Sequence, residues 1–119
     1  MIESDARLLA TLARLAELLE AMHHPRAAWV ADQVERFEQD PQRGRRALDQ
    51  NDWWAGAGSL AAATMADNPG LPEPLWNQYT REFRSLMIDL GEALQAQGAA
   101  NPGLSSWLLA FNNWNASEV

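Results

Sequence analysis

Leucines set the rhythm at the start of the chain. Leu8, Leu12, Leu15, Leu19 and Met22 recur at steps of four and three, and Leu9, Ala16 and Leu18 widen the stripe. That spacing places them on one face of a helix over about 5–22. Ser4 is the expected N-cap, Asp5 sits in the first turn, and His24-Pro25 ends the run. Pro25 suits the opening turn of a second helix, whose expected inner face is Ala27, Val30, Ala31, Val34 and Phe37. Arg26, Gln33 and Arg36 fall on its other side. Asp40-Pro41 repeats the device of cap then proline ahead of a shorter helix around Ala47, Leu48 and Asn51.

The longest pattern runs over about 74–97, where Trp76, Tyr79, Phe83, Leu86, Leu90 and Leu94 keep helical spacing and Gly98 is a natural stop. Asn101-Pro102 opens a last helix holding Trp107, Leu108 and Phe111. Alternating patterns are scarce, and Ile and Val together number five, too few for a sheet. The prediction is an all-α fold: one domain over 1–119, a compact bundle of about five to six helices, two of them long. Because Leu86, Met87, Ile88 and Leu90 nearly encircle the second long helix, the pattern also admits a homodimer that buries the excess.

Charge narrows the function. The formal net charge is −7, all nine cations are arginine, and none follows Arg84. Nucleic-acid and anionic membrane surfaces are bound by Lys and Arg, so both are disfavoured as partners. The one basic cluster, Arg43-Gly44-Arg45-Arg46, reads as a solvated helix start. No apolar run reaches the roughly 18 residues that span a bilayer. The acidic start before the first leucines does not resemble a secretory signal, so the expected location is cytoplasmic.

Candidate chemistry is thin. With no cysteine there are no thiolate ligands or nucleophiles. Glu20 and His24 share a helix face, yet with His23 they fall short of a metal site. Ser59 follows Gly-Ala-Gly, which is not the Gly-x-Ser-x-Gly elbow of hydrolases. Asp49 with Asp52, and Asp89 with Glu92, have the spacing of ordinary exposed pairs. The expectation is a non-enzyme with no cofactor and no metal.

The segment Asn51-Asp52-Trp53-Trp54-Ala55-Gly56-Ala57-Gly58-Ser59 is the most unusual. Gly56, Gly58 and Ser59 read as a structural corner in which Ser59 caps a small-residue helix, Leu60 to Ala66. Adjacent side chains on a helix point about 100° apart, so one of Trp53 and Trp54 is expected in the core and the other at the surface, where tryptophan anchors partners. Asp49, Asp52, Trp53, Trp54 and Trp114 are therefore the candidate partner-binding residues. Asn-Pro-Gly-Leu occurs at 68–71 and at 101–104, one turn-then-helix solution used twice.

The order Trp54, Gly56, Gly58, Ser59, Leu60 and Asn68, flanked by helices, resembles a family of small bacterial helical proteins with an aromatic segment, Gly-x-Gly-Ser, an apolar residue and an Asn-containing loop. Ala61-Ala62 stands where that family often has Asn-Asp. The resemblance implies an immunity-type role, neutralising a cognate toxin by direct complex formation, and the acidic charge of the chain points to a basic toxin domain as the expected partner. A non-catalytic bundle that binds a small molecule, with Arg81 or Arg84 holding an anion, is the alternative.

Overall fold

The computed structural model describes residues 3–55, 59–63, 73–98 and 101–116, and there the chain is helical with no strand. The order is α1 (Glu3–Ala21), α2 (Ala27–Gln39), α3 (Pro41–Leu48), the single turns α4 (Asn51–Trp54) and α5 (Leu60–Ala63), then α6 (Glu73–Ala96) and α7 (Pro102–Ala116). Five helices of eight residues or more thus form the bundle predicted from the pattern. The long pair lies where the periodicity put it. Among the described residues no helix is long and apolar enough to cross a membrane.

The leucine stripe of α1 is the centre of the core. Leu8, Leu12, Leu15 and Leu19 have no exposed surface, and α1 packs against both α2 and α6. Each fully buried leucine contributes about 1.5–3 kcal/mol relative to exposure. α1 starts at Glu3, so Ser4 lies inside its first turn rather than capping it. It ends in a paired backbone motif: the His23 N–H donates to the Glu20 carbonyl and the His24 N–H to the Leu19 carbonyl, both within 3.0 Å. This stop places its first residue outside the helix in left-handed backbone, and His23 has φ +54°.

In α2 the inner face is Val30, Gln33 and Phe37. Gln33, expected outside, is buried, and Ala31, expected inside, is exposed. The helix is rotated toward α3, whose Gly44 lies so close that a Cβ there would come within 2.8 Å of the Phe37 Cα. Asp40 caps α3 as predicted, accepting from the Arg43 N–H at 3.3 Å, with Pro41 in the first turn. Arg45 does not follow the expectation of a solvated cluster. It donates to the buried Asp5 carboxylate at 2.5 Å and ties α3 to the start of α1.

α6 lies between α1 and α7. Met87 and Leu90 are fully buried, while Leu86 and Ile88 are half-buried against the core. The apolar excess that suggested a dimer is therefore covered within one chain. Gly91 allows the close approach of α7, for a Cβ there would meet the Leu108 methyl at 2.7 Å. The Trp76 side chain and the first Asn-Pro-Gly-Leu, at 68–71, lie outside what the structure describes, as do residues 64–66 of the predicted small-residue helix.

Candidate functional site

Asn51 to Trp54 form one helical turn, and both tryptophans in it are completely buried. This corrects the expectation that one of them reaches the surface. The 100° between adjacent side chains holds, but the turn has neighbours on both sides. Trp53 packs on Trp29 of α2, ring centroids 4.9 Å apart. Trp54 donates its indole N–H to the Leu48 carbonyl at 2.8 Å, at the end of α3. Arg26 completes the Trp53 side: its guanidinium carbon lies 4.2 Å from the Trp29 ring centroid, and its Nη2 donates to the Asp52 carbonyl at 3.1 Å.

The other wall of the corner is the start of α7. Asn101 caps that helix, its Oδ1 accepting from the Gly103 N–H at 2.9 Å. Asp49 in turn accepts from the Asn101 N–H at 3.0 Å, and the Asn101 amide donates to the Asp49 carbonyl and the Asn51 Oδ1. Gly103 then lies directly on the Trp54 carbonyl, leaving no room for a Cβ. Asp49 is thus a joint between α3 and α7. Of the four candidate binding residues in this corner, Asp52 alone presents an exposed side chain. Ser59 is buried, and Gly56 and Gly58 of the expected structural corner lie outside the described residues.

Trp114 belongs to a separate cluster. It lies 11 residues beyond Gly103 on α7, roughly 16 Å along the axis. Half-buried, it packs on Phe111 and Trp107 with centroids 6.1 and 6.5 Å away. The Arg84 guanidinium carbon is 5.0 Å from its ring centroid. Burial, then the neighbouring Arg81, lowers the Arg84 pKa. Arg81 donates to the Asn115 carbonyl at 2.6 Å, where a cation suits the end of a helix. Both arginines proposed for an anion thus face the last turn of α7.

Ordered by charge, the surface is uneven. Arg14 pairs with Glu17 and Glu82, Arg36 with Asp32 and Arg45 with Asp5. Arg26, Arg81 and Arg84 are held by the ring and carbonyl contacts above. Among the described residues the exposed carboxylates of Glu20, Glu35, Glu38, Asp52, Asp89 and Glu92 make no such pairs, and neither do the exposed Arg7, Arg43 and Arg46. At the α1–α2 corner, His24 Nδ1 accepts from the Arg26 N–H at 3.0 Å; burial and then Arg26 lower its pKa. Among the described residues no three His, Asp or Glu side chains gather as a metal set.

One surface residue escaped the periodicity. Leu109 is 66% exposed, the one large apolar side chain so placed among the described residues. It stands on the outer face of α7 with Ser105, Ser106, Asn112 and Asn113. No charge occurs from 93 to 117, so the sequence does not mark which side of α7 faces outward. A comparison with known protein families, curated proteins and solved structures finds no match to this chain.

Proposed function

We propose that this chain works by binding another protein, and that the partner is basic where the two meet. The observation that carries the reading is the division of charge. Six arginines are engaged within the fold, Arg14, Arg26, Arg36, Arg45, Arg81 and Arg84. Among the described residues six exposed carboxylates carry no ion pair, against three exposed arginines without one, Arg7, Arg43 and Arg46, so the charge offered to solvent is acidic on balance. Such an exterior accelerates encounter with a basic partner and repels acidic ones. The immunity-type role, in which the complex neutralises a toxin, is the specific form of this reading that the sequence resemblance supports.

The test is capture from the host's own lysate with the full chain as bait, at low salt and again at high salt. A basic protein held stoichiometrically and released by salt is the expected result. A second step mixes that protein with the chain and asks whether its toxicity is suppressed. Capture without suppression would remove the antidote role. No salt-sensitive basic partner would remove the reading altogether.

A further inference from the structure

We infer that the docking surface is the outer face of α7, and that its partner presents an apolar pocket flanked by Lys or Arg. The inference rests on the protein-binding reading and adds where the contact lies. Three observations converge on this face. First, it has no charge of its own: Ser105, Ser106, Leu109, Asn112 and Asn113 are exposed, and the sequence carries no ionisable side chain from 93 to 117. Depletion of charge at the centre is the compositional mark of a protein interface. Second, Leu109 projects from its middle at 66% exposure, the one large apolar side chain so placed among the described residues.

Third, one edge of the face carries two carboxylates against a single cation, Arg81, which the Asn115 carbonyl holds at its far end. The Ser85 hydroxyl accepts from the Asn115 amide at 3.1 Å, and the Gln95 amide donates to the Ser105 hydroxyl at 3.1 Å. These contacts mark the edge of α6 that runs beside α7. Asp89 lies four residues after Ser85 and Glu92 three before Gln95, so both stand on that edge, and both are exposed. An uncharged centre with a net acidic edge is matched by an apolar pocket with Lys or Arg on the facing side. A second copy of this chain does not supply that side, because its Arg81 is held by the Asn115 carbonyl and its α7 face carries no cation.

The test uses the full chain in its host. A photo-crosslinking residue replaces Ser106 or Asn112, beside Leu109, and as a reference replaces Ala28 on the exposed side of α2. The expected result is one adduct, with the same basic protein, from 106 and 112 and not from 28. Leu109→Glu in the 112 variant should lower its yield at least tenfold, and Asp89→Asn with Glu92→Gln several-fold. An adduct from 28 alone would overturn the α7 face and leave the protein-binding reading standing. An adduct with a second copy of the chain, or with an acidic protein, would overturn the proposed partner. No adduct from any position would overturn both.

Discussion

A Cβ on Gly103 would stand 2.1 Å from the carbonyl oxygen of Trp54, so the first turn of α7 and the tryptophan turn meet backbone to backbone. No side chain can yield at that contact. The corner is therefore closed by a glycine on one helix and by two buried rings on the other.

Gly103→Ala accordingly forces the helices apart. Overpacking costs about 1–3 kcal/mol, and a rigid backbone neighbour puts this site at the upper end despite the better helix propensity of alanine. Gly91→Ala meets only the methyl ends of Leu108 and Leu104, which can turn aside, so its cost is smaller. Urea denaturation of the two variants should rank them in that order.

The two tryptophans separate a hydrogen bond from packing. Trp54 donates to Leu48, whereas the buried Trp53 N–H has no partner among the described residues. Trp54→Phe loses ring volume and leaves a buried carbonyl without its donor, about 1–2 kcal/mol beyond the packing loss. Trp53→Phe loses similar volume but also removes an unpaired donor. Chemical denaturation should find Trp54→Phe the more damaging change, and equal losses would argue against the bond to Leu48.

The helix repertoire was legible where a boundary is a local device: Asp40-Pro41, Asn101-Pro102 and the leucine spacing need no distant partner, whereas Ser4 and Pro25 missed the starts of α1 and α2 by one or two residues. Burial of both Trp53 and Trp54 was not legible. It depends on Trp29, Leu48 and Gly103, which lie 24, 6 and 49 residues away in the chain and surround the turn only once the bundle forms. Gln33 escaped for the same reason, since its burial depends on the helices packed against α2. Leu109 was hidden by its neighbours, because Leu108 and Phe111 fit the same apolar run and only packing tells them apart.

His23 holds left-handed backbone at the end of α1, with φ +54°, a conformation that costs an L-residue about 1–2 kcal/mol and glycine almost nothing. His23→Gly should stabilise the chain by roughly 0.5–1 kcal/mol after the entropy glycine adds to the unfolded state. A calorimetric melt reads this directly as a higher Tm.

His24 makes stability depend on pH. Its folded pKa lies below the ordinary value of 6.5 because the ring is half-buried and faces Arg26, and its Nδ1 must stay unprotonated to accept from Arg26. Below 6.5 the unfolded chain binds the extra proton and the folded chain resists it. Stability contributed by the neutral ring is present above that pH, falls as pH drops through 6.5, and levels off below the folded pKa. His24→Asn keeps an acceptor but does not titrate, so the difference in stability between wild type and variant should move in the variant's favour between pH 7.5 and 5.5.

If Trp53 and Trp54 hold the fold while the outer face of α7 binds the partner, a change on that face costs binding and not stability. Titration calorimetry of the captured basic protein against Leu109→Glu, with a melt of the same sample, tests it most directly. The predicted result is an affinity at least tenfold weaker, about 1.4 kcal/mol, with stability unchanged to within roughly 0.5 kcal/mol. Undiminished affinity in the folded variant would contradict the account.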